Sequence, residues 1–258
     1  MTQTLGADRQ SFKDRASLCW AAAKRTEARL LLLALAAMVG VWGFLALTGE
    51  VREAETMRLD RTVLLAFRVP GDLATPLGPR WLQESARDFT AFGGFTALAL
   101  ITVVAFALLL IHRRRAQAFI FGATVLFAQG AAEAIKTFVD RPRPDLVPHH
   151  DLVYSSSFPS GHAMMSPAVY LTLAAILAAS ETKGSVKVIL ITGAALLVFA
   201  IGVSRIYLGV HWPTDVLAGW TLGTAIALVA SIAVNVTNPA PPEQTPFRRS
   251  RLNGDDLL

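Results

Sequence analysis

What this chain lacks narrows it quickly. It has one cysteine, Cys19, in 258 residues. An intramolecular disulfide and a cysteine-ligated metal site are therefore excluded. Charge is scarce: 17% of the residues, against about 25% in a soluble globular chain. Acidic residues are the scarcer sign, 19 against 24 Lys and Arg, for a formal net charge of +5. Nucleic-acid binding would fit such a balance, but the cations sit in short segments beside apolar runs. Retention at the inner face of a membrane is the simpler reading, with no nucleic-acid partner. The length suits one domain.

What the chain has in quantity is hydrophobic surface, 53% of residues, with a mean hydropathy of +0.46. Residues 30–48 carry no charge. About 20 apolar residues cross a hydrocarbon core. A signal peptide has a shorter core of about 7–15, with a cleavage site close behind. The run therefore reads as a retained transmembrane helix. Five further runs cover 89–111, 116–138, 163–180, 186–207 and 214–236. The glycines inside them, Gly93-Gly94 included, are of a kind tolerated in membrane helices. The fold class is all-α: a polytopic membrane protein with six transmembrane helices over 30–236.

The flanks differ in character. In residues 1–29, Phe12, Ala16, Cys19, Trp20 and Ala23 share one helical face among basic residues. That suits an interfacial helix on an anionic leaflet. The segment 49–88 mixes both signs of charge. Its Leu59, Val63, Ala66 and Phe67 define the apolar face of a helix lying on the membrane. Residues 237–258, with Pro239-Ala240-Pro241-Pro242 and then Arg248, Arg249 and Arg251, read as a flexible tail.

Loop charges set the topology. His112-Arg113-Arg114-Arg115 is short and strongly basic, and Lys183 and Lys187 follow on the same side. The positive-inside tendency makes that side cytoplasmic, with both termini there and a multi-pass chain in the cell membrane. The other loops face outward. They hold three polar clusters, each where an apolar run meets a loop.

The first cluster is Lys136 with Asp140-Arg141-Pro142-Arg143-Pro144. Gln129, Glu133 and Lys136 share a helical face, so Glu133 can orient the lysine. An ionisable group inside a membrane helix is costly and normally paired or functional. The prolines hold an extended loop, from which arginines present forked donors to phosphate oxygens. The second cluster is Ser157-Phe158-Pro159-Ser160-Gly161-His162. A helix start with a glycine is an anion site, and Ser160 adds a hydroxyl. The third is Ser204-Arg205, then His211, then Asp215. A carboxylate four residues on can hold one imidazole nitrogen and leave the other free to attack. Gly219 and Gly223 continue the Asp215 face and favour close helix packing. Each cluster alone has an ordinary use: snorkelling lysine, basic headgroup linker, helix cap. His149-His150-Asp151 is the rival metal-like group, and a polar loop is its simpler use.

Spacing joins the three. Lys136 is followed after six residues by Arg143-Pro144; next comes Pro159-Ser160-Gly161-His162; then Ser204-Arg205, five residues, His211, three residues and Asp215. This resembles the three-part signature of the type 2 phosphatidic acid phosphatase (PAP2) family, which also includes soluble acid phosphatases and vanadium haloperoxidases. Arg141 is an additional arginine beside the motif position. The resemblance implies that Lys136, Arg143 and Arg205 bind phosphate, with Ser160 and the Gly161 backbone completing the cradle. It implies His211 as nucleophile forming a phosphohistidine, Asp215 as its orienting carboxylate, and His162 as general acid and base. Arg141, Glu133 and Ser204 would support them. It implies no metal and no cofactor.

The function expected is hydrolysis of a lipid phosphate monoester or pyrophosphate at the extracytoplasmic face. Phosphotransfer to another lipid would use the same residues. Vanadate-dependent haloperoxidation and non-catalytic anion binding would also use an anion cradle. Six spans argue against haloperoxidation, and anion binding would survive loss of His211.

Overall fold

The computed structural model describes residues 2–146 and 156–237, with side chains from Lys24 onward apart from Arg25. The basic tail, His149-His150-Asp151 and the side chains of the N-terminal amphipathic pattern lie outside the described residues. Clustering of contacts separates a unit Arg29–Asn238 from one made of Met1–Ala28 and Pro239–Leu258.

Nine α-helices are described. They are α1 (Thr2–Arg52), α2 (Met57–Leu65), α3 (Arg80–Phe92), α4 (Phe95–Ile111), α5 (Arg115–Val139), α6 (Gly161–Ser166), α7 (Thr172–Ser180), α8 (Gly184–Tyr207) and α9 (Pro213–Thr237). A π turn, Pro167–Leu171, joins α6 to α7, so Gly161–Ser180 forms one span. Among the described residues, five helices are long and apolar enough to cross a membrane, or six if α3 and α4 count as one. Leu31, Trp42, Val103, Leu126, Ile189 and Phe199 point outward and stay exposed. Apolar side chains facing out are what a bundle solvated by lipid presents.

One sequence expectation needs correction. The apolar run 89–111 is not one helix: α3 and α4 meet at Gly93-Gly94 with a bend of 47°. The cause is local crowding. A Cβ on Gly93 would lie 2.5 Å from Ile201 Cγ2 and 3.0 Å from His162 Cδ2. The chain approaches α8 and α6 at its bare backbone and departs in a new direction. In 49–88 the expected helix is α2, which ends at Leu65, and Leu59 is 57% exposed, as an apolar residue on a helix lying on a membrane would be. The buried face carries Thr56, Asp60 and Leu64. An antiparallel pair of short strands, β1 (Arg68–Val69) and β2 (Asp72–Pro76), follows and adds a small non-helical element.

α9 is the spine of the bundle and packs on α5, α6, α7 and α8. Its small-residue face permits this. A Cβ on Gly219 would lie 2.9 Å from Ser160 O, and one on Gly223 would lie 2.3 Å from Met164 O. Backbone meets backbone there, as the spacing of Gly219 and Gly223 predicts. At the opposite end of the bundle, Arg114 donates to Ser180 Oγ and joins the 112–115 loop to the end of α7.

Candidate active site

The three clusters meet. Lys136, Arg143, Gly161, His162, Arg205 and His211 line one cavity of about 500 Å³. Each arrives by a local cause. Asp140 takes a left-handed conformation (φ 40°) that ends α5 beyond Lys136 and turns the chain into Arg141-Pro142-Arg143-Pro144. Lys136 Nζ lies 3.6 Å from where a Gly161 Cβ would stand, so the ammonium group hangs over the start of α6. Lys136 pairs with Glu133 at 3.2 Å, and Gln129 donates to the same carboxylate oxygen at 3.2 Å. Both lie on the cavity wall, as their shared helical face predicts. Arg205, at the end of α8, donates to Thr90 Oγ1 of α3 at 2.8 Å.

His211 is buried between two kinds of partner. Arg143 Nη1 lies 3.1 Å from Nε2. A guanidinium has donors and no acceptor, so Nε2 carries the lone pair and Nδ1 the proton. Nδ1 faces Asp215 Oδ2 at 3.5 Å and Ser157 Oγ at 3.4 Å. Arg143 also donates to Val210 O at 2.9 Å, which anchors it to the same loop. Burial pushes the His211 imidazole down to about 4, against the opposing pull of Asp215 and with Arg205 and Arg143 assisting. At neutral pH the ring is uncharged and Nε2 is available as a base or nucleophile.

Asp215 stands one step behind the cavity and is fully buried. Ser157 Oγ and Trp212 N (2.9 Å) donate to its Oδ2, and Arg141 Nη1 donates to Oδ1 at 2.5 Å. This separates the two arginines of the first cluster. Arg143 lines the cavity; Arg141 is buried and spans Asp215 and Asp60, the latter at 2.6 Å from Nη2.

Two expected hydroxyls do not reach the cavity wall. Ser160 is buried and its Oγ accepts from Ala163 N at 3.5 Å, as the cap of α6, while its own N–H donates to Asp215 O. Ser204 donates back to Ile201 O of its own helix at 2.6 Å. A helical serine with no polar neighbour ahead bonds to its preceding turn. The residues missed from sequence are Asp60, Thr214 and Thr90. Thr56, Asp60 and Leu64 recur every four residues, the period of an inward helix face. That signal is short, and in sequence Asp60 reads as one charge among many in a mixed-charge segment.

Cations and imidazoles converging at the ends of apolar helices define a membrane-embedded anion site. Among the described residues no three His, Cys, Asp or Glu side chains converge as a metal-ligand set. A model of the PAP2 superfamily matches residues 117–238. Phosphatidylglycerophosphatase B of Bacillus subtilis (strain 168) is 34% identical over 154 residues, covering 55% of this chain and 70% of that protein. Decaprenylphosphoryl-5-phosphoribose phosphatase of Mycobacterium tuberculosis (strain CDC 1551 / Oshkosh) is 35% identical over 171 residues, covering 63% and 81%. The crystal structure of a transmembrane PAP2-type phosphatidylglycerolphosphate phosphatase from Bacillus subtilis aligns with a TM-score of 0.67 at 25% identity, covering 75% of this chain and 93% of that one. The chain belongs to the PAP2 superfamily, and it is a multi-helix membrane phosphatase of that type.

Proposed function

We propose that this phosphatase hydrolyses a phosphate monoester or pyrophosphate of a membrane lipid, through a phosphohistidine, at the extracytoplasmic face. The shape of the cavity carries this reading. One end is cationic. The remainder runs between α4 and α5, lined by Leu98, Ala99 and Val103 on one side and Val125 and Leu126 on the other. Phe95, Val103 and Leu126 of this wall are also exposed on the outer surface of the bundle. A lipid can place its phosphate among the cations and keep its chains in the bilayer. The relatives whose names specify a phosphorylated lipid support the same substrate class.

In this reading Lys136, Arg143 and Arg205 surround the phosphate oxygens, where fixed cations stabilise the charge of the transition state. Gly161 N–H, at the start of α6, adds a backbone donor. His211 Nε2 forms a bond to phosphorus. The P–O ester bond breaks, its electron pair leaves with the lipid oxygen, and His162 supplies that oxygen with a proton. Water then attacks phosphorus and loses its proton to His162. The N–P bond breaks and its pair returns to Nε2, releasing inorganic phosphate. Asp215 and Ser157 hold the Nδ1 proton throughout.

Sidedness rests on charge. The 112–115 loop and the end of α7, joined through Arg114 and Ser180, lie away from the cavity mouth, and positive loops stay inside. Inorganic phosphate release from detergent-solubilised protein tests the reaction. The substrates are phosphatidylglycerol phosphate, phosphatidic acid, decaprenylphosphoryl-5-phosphoribose, a polyprenyl pyrophosphate and phosphorylated lipid A, with EDTA present. At least one should be turned over, and His211→Ala should remove that turnover while the protein stays folded. Full activity in His211→Ala overturns the mechanism. An added lipid alcohol that captures the phosphate instead of water would show phosphotransfer.

A further inference from the structure

The segment between α1 and α4 lies outside the three motifs, yet it delivers a buried carboxylate to the histidine loop. Asp60 of α2 is 0% exposed. Its Oδ2 accepts from Arg141 Nη2 at 2.6 Å and from Thr214 Oγ1 at 2.7 Å. Its Oδ1 accepts from Thr214 N at 2.9 Å, in the first turn of α9. Arg141 turns its other nitrogen to Asp215 at 2.5 Å. The Trp212 ring lies 5.7 Å from the guanidinium carbon, and Trp212 packs on Leu64, one turn beyond Asp60. The segment therefore grips Thr214 directly, Trp212 through Leu64 and Asp215 through Arg141.

Charge gives this grip a chemical consequence. Two buried carboxylates face one buried guanidinium, so the group holds one uncompensated negative charge. An unbalanced charge away from water is costly. Asp215 bonded to Arg141 alone would already be neutralised. Asp60 engages the second nitrogen of Arg141 and restores the negative charge. The nearest titratable ring is His211, 3.5 Å from Asp215. That ring becomes cationic when Nε2 bonds phosphorus while Nδ1 keeps its proton. Arg143, 3.1 Å from Nε2, and Arg205 on the cavity wall are offset by the phosphate itself.

We propose that Asp60 is a positioning residue for the reaction: by engaging Arg141 it keeps the buried group one negative charge out of balance until His211 becomes cationic. The inference rests on the reading of His211 as nucleophile.

A structural tie and a charge balance differ in one double variant. Asp60→Asn leaves Arg141 and Asp215 as a neutral pair. Asp60→Asn with Arg141→Met leaves Asp215 alone and returns the net charge to its original value. The test uses the full chain in detergent with short-chain phosphatidylglycerol phosphate, measuring kcat, KM and thermal unfolding. Asp60→Asn should lower kcat on the order of 100-fold with KM within about threefold. The double variant should recover about tenfold of that loss, because the two changes are coupled. Wild-type kcat in Asp60→Asn, or a double variant no better than the single one, overturns the proposal. Should Asp60→Asn fail to fold, the double variant decides alone. A kcat within about tenfold of wild type supports the proposal, and a loss on the order of 100-fold overturns it. His211→Ala separates the two levels. Retained turnover there removes the nucleophile reading itself, whereas an inactive His211→Ala beside an unaffected Asp60→Asn removes this proposal alone.

Discussion

Gly93→Ala is the sharpest single perturbation this structure offers. The glycine has φ −92° and ψ −4°, a conformation open to alanine, so backbone strain does not enter. The added methyl group would stand 2.5 Å from Ile201 Cγ2 and 3.0 Å from His162 Cδ2. Ordinary carbon contacts lie at about 3.5–4.0 Å, so the overlap with Ile201 is about 1 Å. Overpacking of this size costs about 1–3 kcal/mol, which outweighs the gain of about 1 kcal/mol that alanine brings over glycine in a regular helix. Turnover falls as well. The methyl group would stand about 0.5 Å inside ordinary contact with the imidazole read as proton donor, and since a displacement of about 1 Å costs on the order of 100-fold in rate, about half that should cost on the order of 10-fold. Two companions isolate the cause. Gly94→Ala places its Cβ 3.2 Å from Ala91 O and 3.9 Å from His162 Nε2, and should leave kcat within about threefold. Gly93→Ala with Ile201→Ala removes the closest clash but leaves the contact with His162. It should regain thermal stability while kcat stays low. Thermal unfolding and phosphate release measure the two separately. Wild-type kcat in Gly93→Ala, or equal loss in Gly94→Ala, would refute the reasoning.

Three further outcomes are expected. Arg143→Met should weaken orthovanadate binding with little effect on unfolding, because its fork lines the cavity. Arg141→Met should do the reverse, costing about 3–5 kcal/mol of stability by stranding Asp60 and Asp215; comparison of Tm and vanadate affinity checks both. Turnover per substrate concentration should fall on the acid side as pH drops through about 4, where His211 takes up its proton and loses the attacking lone pair. The unfolded chain protonates the same ring near 6.5, so this histidine makes stability fall as pH drops from 6.5 towards 4; unfolding scans across that window check the sign. Glu133→Gln should cost about threefold at most, since the Glu133 side of the pair with Lys136 is 57% exposed; steady-state kinetics decide it.

Much of this protein is legible along the chain. Uncharged apolar runs locate the spans, because backbone in hydrocarbon must satisfy its own hydrogen bonds and helices do so locally. Motif spacing groups Lys136, Arg143, Gly161, His162, Arg205 and His211, which line one cavity, because those residues sit at or beside helix ends whose positions the spans already dictate. Gly219 and Gly223 are readable for the same reason: small residues along one helix face admit a neighbour.

Other features depended on contacts remote in sequence. The bend at Gly93 arises from Ile201 and His162, far along the chain. Which arginine lines the cavity was undecided by the Arg-Pro-Arg-Pro repeat, since both arginines stand before a proline and only the surroundings say where each goes. Ser160 and Ser204 carry hydroxyls suited to phosphate, but local backbone groups claim them first. Asp60 is the clearest case. By itself it is one charge in a mixed-charge segment. In the fold Leu59 stays on the outer side of its helix, and Asp60 is buried against Arg141 and Thr214. Sequence alone determined the spans, the family and the set of residues around the cavity, all local or periodic properties. Tertiary structure alone decided which groups stand behind that set, because burial and pairing of charge depend on what the far parts of the chain bring together.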